Sequence, residues 1–252
     1  MSEAERYQHS ERLALCRYRL FTIAISEKNV EENVKAALIF EGFVDRLDKG
    51  DQLEAIRQLI NVWMAERNWK KVNLCAKQLL QLATIQYNQG LMEKKSKHPV
   101  YFYVLYSWLI QSVAHAEVLD YKSALKYVSE YAHGESWIRE QDETAKWYIN
   151  QFSEWATANT YLYEILTGNE EALVDYARYV ESKPDEIFIA INLILDGLKI
   201  SVKINSVRNM VNALTLFEKF RIFATSEEKM EFQQLSSEVN RLNAEKHLAS
   251  IN

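Results

Sequence analysis

Apolar residues recur at three- and four-residue intervals along almost the whole chain, and short polar breaks separate the runs. Within residues 4–26, Leu13, Cys16, Leu20, Ile23 and Ala24 share a helical spacing. Glu27-Lys28-Asn29 interrupts this run, and the pattern resumes over 30–47. Asp48-Lys49-Gly50-Asp51 forms the next joint, with Asp51 as a candidate N-cap. The same reading predicts helices over 52–67, 69–88, 100–118, 121–132, 142–166, 170–181, 185–202, 206–223 and 226–248. No stretch alternates with period two for long enough to read as a strand.

Self-similarity lies at the joints. Leu119-Asp120-Tyr121-Lys122-Ser123-Ala124 sets an acidic-aromatic turn ahead of a small residue, and Asn68-Trp69-Lys70-Lys71-Val72 repeats it with Asn for Asp. Gly168-Asn169-Glu170-Glu171-Ala172 is a shorter third copy. Such turns join the two helices of a tetratricopeptide (TPR) hairpin, with small residues letting the helices pack closely. Ser112 and Gly197 are the matching small positions on first helices, and a mid-helix Gly suggests a close crossing. The intervals between Asn68, Asp120, Gly168 and Asn205 all exceed the ~34 residues of a regular TPR. The chain therefore reads as TPR-like. The expected fold is all-α, one domain over 1–252: a right-handed superhelix, or solenoid, of about five hairpins plus a C-terminal capping helix. The hairpins fall at 4–47, 52–88, 100–132, 142–181 and 185–223, and the terminal helix at 226–248.

Composition narrows the alternatives. Only 6 Gly and 2 Pro occur among 252 residues, far below the roughly 12% of average usage, which excludes architectures built on tight hairpins. A net charge of −5 argues against a surface devoted to nucleic acid. Cys16 and Cys75 form no CxxC and read as isolated core thiols in a reducing cytoplasm. The acidic start, Met-Ser-Glu-Ala-Glu, is unlike a signal peptide. Residues 100–119 approach membrane-spanning length, but Gln111, His115 and Glu117 interrupt them, so a buried central helix is expected.

Catalytic patterns are missing from the sequence. The five histidines are scattered without metal-ligand spacing, and there is no GxSxG and no glycine-rich phosphate loop. The pairs Glu31-Glu32, Glu170-Glu171 and Glu227-Glu228 fall in first turns, where negative charge favours the helix dipole. The expectation is a binding protein, not an enzyme, with no cofactor and no metal.

First helices of TPR hairpins line a concave groove. In the second hairpin the inward face reads Glu54, Arg57, Asn61 and Met64. Asn can give and take backbone hydrogen bonds, and Arg can hold a carboxylate bidentately. The third hairpin presents Tyr103, Tyr106, Leu109 and Val113; the fourth presents Trp155, Ala158 and Leu162, with Asn159 at the edge. Tyr and Trp offer rigid contact area with a polar tip. The same residues also fit a solvated helix face (Arg57, Asn61) or hairpin core (the Tyr/Trp stripe). Trp63, Trp69 and Trp108 read as hairpin core. In the last helix Thr225-x-x-Glu228 is a capping box, and Phe232, Leu235, Val239 and Leu242 form an apolar stripe suited to capping the fifth hairpin or to a dimer contact.

The stretches LCRYRLFTIAIS, LINVWMAERNWKKVNLCAKQLLQLA and FSEWATANTYLYEILTGNEEAL resemble the C-terminal sensor region of peptide-pheromone-responsive helix-turn-helix regulators of Gram-positive bacteria and their phages. These are relatives of the Rap, NprR, PlcR, PrgX and Rgg proteins, and the similarity covers roughly residues 11–223. The resemblance implies a cytoplasmic, homodimeric sensor that binds a short peptide pheromone in its groove, and it makes Asn61 the first candidate contact. In that family a DNA-binding domain precedes the repeats. Repeat-like helices begin almost at once here, so no nucleic-acid binding is expected of these residues, and no membrane. The rival expectation is a stand-alone TPR-like scaffold or anti-activator that binds a folded protein partner.

Overall fold

The computed structural model describes residues 3–25, 29–90, 97–167, 169–182, 187–203 and 207–249. Among them the chain forms eleven α-helices and no strand. They are α1 (Glu3–Ala24), α2 (Val30–Phe40), α3 (Lys49–Ala65), α4 (Trp69–Asn88), α5 (Val100–Glu117), α6 (Tyr121–Ala132), α7 (Glu143–Thr167), α8 (Glu170–Ser182), α9 (Ile187–Lys203), α10 (Val207–Phe220) and α11 (Ser226–Ala249). The all-α expectation holds. The helix expected over 30–47 tightens into a 3₁₀ turn at Glu41–Arg46, and the one over 206–223 does so at Arg221–Phe223.

Asn and Asp side chains start α2, α3, α4, α6 and α7 by taking an N–H that has no intrahelical acceptor. The Glu32 N–H donates to Asn29, Lys71 to Asn68, Ser123 to Asp120 and Ala145 to Asp142. For α3 the cap is Asp48, not Asp51: the Asp51 N–H donates to Asp48 Oδ1 at 2.8 Å, so the helix begins three residues earlier than its apolar pattern. Gly50 is accordingly a buried first-turn residue rather than a joint. The capping box of α11 forms both its bonds, between Thr225 and Glu228.

The joints flagged by sequence share one backbone hydrogen bond. After α3 the Asn68 N–H donates to the Trp63 carbonyl, and after α5 the Asp120 N–H donates to the His115 carbonyl, each at 2.9 Å. After α7 the Asn169 N–H donates to the Glu164 carbonyl in the same five-residue reach. This pattern ends a helix with one left-handed residue. Arg67 and Leu119 take that role with φ of 59° and 67°, a conformation that favours glycine. Gly168, which stands there in the third copy, lies outside the described residues. Val72 and Ala124, four residues after their caps, are fully buried.

The chain divides into two compact units, 1–154 and 155–252. In the first, α3 packs on α4, α4 on α5, and α5 on α6. Helix α5 is covered on both sides, which explains its nearly all-round apolar sequence. Among the described residues no helix is long and apolar enough to cross a membrane. Phe21, Phe40, Leu53, Ile56, Ile60, Trp63, Val72 and Tyr103 form the middle of this core. Trp63 is buried there as expected, whereas Trp69 and Trp108 pack half-buried against it.

In the second unit α9 packs on α10 and α11, and α8 meets α7 through Tyr161, Tyr176 and Tyr179. Phe217 stacks on Phe232 with centroids 4.0 Å apart. Phe232 and Val239 are buried, and Leu235 and Leu242 pack on the same core, so the α11 stripe covers α9 and α10. A Cβ at Gly197 would come within 2.9 Å of Leu166 Cδ2, the close approach that its place in mid-helix suggests.

One expectation about α1 is corrected. Its buried face carries Ala14, Tyr18 and Phe21, while Leu13, Cys16, Leu20, Ile23 and Ala24 face solvent. Cys16 is therefore no core thiol; Cys75 is half-buried, and burial pushes its thiol pKa up to about 11.

The left-handed residues give a stability prediction. Arg67 is exposed, so Arg67→Gly removes strain and little packing. Urea unfolding should show the variant more stable by about 1 kcal/mol. A destabilised variant would mean that the Arg67 side chain, not its backbone, matters at this turn.

Candidate functional site

The first unit gathers five of the seven candidate residues around one buried charge. On α3 the positions 54, 57, 58 and 61 share a face by their three-to-four spacing. Glu54 is 8% exposed and lies at the centre. Arg57 donates to both of its oxygens, from Nε at 2.9 Å and from Nη2 at 2.7 Å. Gln58 Nε2 donates at 3.3 Å, and Tyr103 Oη of α5 donates at 3.1 Å. Burial pushes the Glu54 pKa up. Hydrogen bonds from Arg57, its positive charge, and the bonds from Gln58 and Tyr103 outweigh burial and hold the carboxyl below its usual range. The same hydrogen bonding raises Arg57, so the two stay ionised together.

This arrangement changes what each candidate can offer a ligand. The Nε and Nη2 edge of the Arg57 guanidinium is engaged by Glu54, so its charge is already matched before any ligand arrives. Tyr103 is fully buried, with its hydroxyl on Glu54, and belongs to the core. Tyr106 is half-buried, and its hydroxyl donates to Asn61 Oδ1 at 2.9 Å. Burial raises the Tyr106 phenol to about 12, so it remains a donor at neutral pH. Asn61 is exposed, and its amide N–H groups have no acceptor among the described residues.

A pocket of about 340 Å³ opens beside Asn61, where Ile25 at the end of α1 meets α2 and α3. Ile25, Val30, Val62 and Ala65 give it an apolar lining, and Asn33, Gln58 and Asn61 supply the polar groups. The volume is at the small end of the ~300–1,000 Å³ typical of ligand pockets. Gln58 orients its amide nitrogen toward Glu54, since the reverse would set oxygen against oxygen. Its Oε1 is then a buried acceptor without a donor. Such a group is costly to leave unpaired and marks a place where a ligand N–H is favoured.

Trp155 and Asn159 lie on α7 in the second unit, Trp155 being 38% exposed and Asn159 half-buried. Sequence reasoning missed Gln58 and Asn33. Gln58 could have been found as the fourth polar position on the α3 face. Asn33 stands as a polar residue among the buried positions of α2, beside Ala37 and Phe40. Among the described residues no group of three His, Cys, Asp or Glu side chains could hold a metal ion.

The buried pair has a testable energetic signature. Arg57→Ala leaves the Glu54 charge uncompensated and should cost about 3 kcal/mol in urea unfolding. Replacing both partners by apolar residues, Glu54→Leu with Arg57→Met, should recover most of that loss. The Glu54 pKa is lower in the folded chain than in the unfolded one. Its contribution is full above the unfolded value and fades as pH falls through the folded value, so wild type and Arg57→Ala should converge in acid. A loss below ~1 kcal/mol for Arg57→Ala would place the pair among weak surface ion pairs.

No protein-family model matches this chain, and neither a curated protein nor a solved structure does.

Proposed function

We propose that the chain is the ligand-sensing region of a bacterial transcriptional regulator and binds a short linear peptide beside Asn61. One apolar side chain of the peptide enters the pocket lined by Ile25, Val30, Val62 and Ala65. The adjoining backbone carbonyl accepts from the Asn61 amide, and a backbone N–H donates to Gln58 Oε1. The observation that carries this reading is the pairing of an unused donor and an unpaired buried acceptor on two residues, three apart on one helix face, that both line an apolar pocket. A peptide group presents the complementary acceptor and donor at similar spacing.

Glu54, Arg57, Tyr103 and Tyr106 serve this site by positioning. The ion pair fixes Gln58, and the Tyr106 hydroxyl orients the Asn61 amide so that its N–H groups face outward. In this reading the helical pairs stack as a right-handed TPR-like superhelix and the protein works as a cytoplasmic homodimer. Ligand binding shifts the relative orientation of repeats or protomers, and no covalent chemistry takes part.

The test is calorimetric titration of a pool of five- to eight-residue peptides, each with one central Leu, Ile, Val or Phe, into the full chain. Saturable binding is expected. Asn61→Ala or Gln58→Ala should weaken it about tenfold each, the loss of roughly one hydrogen bond. A pool that fails to saturate, or binding untouched by both substitutions, would overturn the proposal. Co-purification of a folded protein with no response to peptides would support the scaffold reading instead.

A further inference from the structure

The outward face of α1 has an order that the pocket does not use. Leu13, Cys16, Leu20 and Ile23 are spaced three, four and three apart, the a and d positions of a heptad. All four are exposed, Leu20 by 58% and Ile23 by 80%. Residues turning 100° each confine these four positions to a sector of about 80°. A helix that lays its side on a broad apolar surface shows a stripe of ~100° or more, whereas the narrower a/d seam is what a single partner helix covers. The opposite face, with Ala14, Tyr18 and Phe21, packs in the core of the first unit, so the seam faces outward.

Arginines border the seam on both sides. Arg12 and Arg19 occupy g positions and Arg17 an e position, and all three are exposed. Arg17 lies over the Phe43 ring at 5.6 Å. None of the three is ion-paired among the described residues. A second copy of the same seam would set arginine against arginine in either orientation, e against g when parallel and like against like when antiparallel. Complementarity instead calls for Glu or Asp at those positions on the covering helix.

We propose that the exposed face of α1 docks an amphipathic helix of another protein, with apolar residues at a and d and carboxylates at e and g. The interface is separate from the Asn61 pocket and rests on the exposed seam and its unpaired arginines alone.

The probe is a synthetic three-heptad peptide with Leu at a and d and Glu at e and g, compared with the same peptide carrying Lys at e and g. Binding to the full chain is read by fluorescence anisotropy at low and at high salt. The acidic peptide should bind at least tenfold tighter than the basic one, and high salt should narrow that difference. Leu20→Ser and Ile23→Ser should each weaken binding at least tenfold, while circular dichroism shows an unchanged fold, since both side chains are exposed. Arg12→Gln/Arg17→Gln/Arg19→Gln should remove the preference for the acidic peptide. Asn61→Ala should leave this binding intact, which separates the result from that of the pocket. Equal binding of both peptides, no binding, or binding that survives both seam substitutions would overturn the proposal. So would self-association of the chain that Leu20→Ser abolishes, or capture by phosphatidylserine vesicles through the same residues without binding of the acidic peptide.

Discussion

A carboxylate placed inside a helical core must be matched, and Glu54 makes that demand of the first unit. Its charge is kept because Arg57 grips both oxygens from one turn along α3 and because Gln58 and Tyr103 fill the remaining acceptor sites. Satisfying Glu54 ties α3 to α5 through the Tyr103 hydroxyl, beside which Tyr106 of α5 bonds Asn61 of α3. It also fixes which residues remain for other work. Arg57 and Tyr103 are spent on the charge, and Gln58 is turned so that its carbonyl is left unpaired. Asn61, one turn further on, is positioned by Tyr106 alone. The character of the pocket follows from this chain of bonds: it offers neutral donors and acceptors, and no free charge, to whatever enters.

A second constraint acts at the joints. A helical chain with few breakers must still reverse direction, and here the same left-handed turn recurs after α3 and α5, with the same backbone hydrogen bond after α7. At Arg67 and Leu119 the caps Asn68 and Asp120, and the packing of Val72 and Ala124, must hold an unfavourable backbone in place. These turns make short connections possible without proline or glycine at every joint. They are the structural counterpart of the repeat that the sequence shows in its Asp-Tyr and Asn-Trp pairs.

Helix α1 marks the limit of reading faces from periodicity. It carries two apolar stripes about half a turn apart, one with Leu13, Cys16, Leu20 and Ile23 and one with Ala14, Tyr18 and Phe21. Either stripe fits a helix packed on a core, and the aliphatic one is the more hydrophobic by composition. The structure buries the other because Tyr18 and Phe21 stack on Phe40. Large flat rings remove more surface per residue than the shorter side chains do, and they find a partner only once α2 folds back. The consequence is an aliphatic seam left outside, bordered by arginines.

Taken alone, the sequence determined the helical content, the position of nearly every helix, the recurring joints and the polar face of α3. These depend on nearest neighbours along the chain: three-to-four spacing, caps one turn away, and the shortage of Gly and Pro. Tertiary structure decided how that polar face is used. Only the approach of α5 supplies the Tyr103 and Tyr106 hydroxyls, and only the fold of α1 and α2 against α3 encloses the pocket with Ile25, Val30 and Asn33. The role of Arg57 changed for the same reason. A guanidinium free on an isolated helix is a ligand-binding group, but once its neighbour Glu54 is buried, the cost of an unpaired carboxylate in a low-dielectric interior holds the two together.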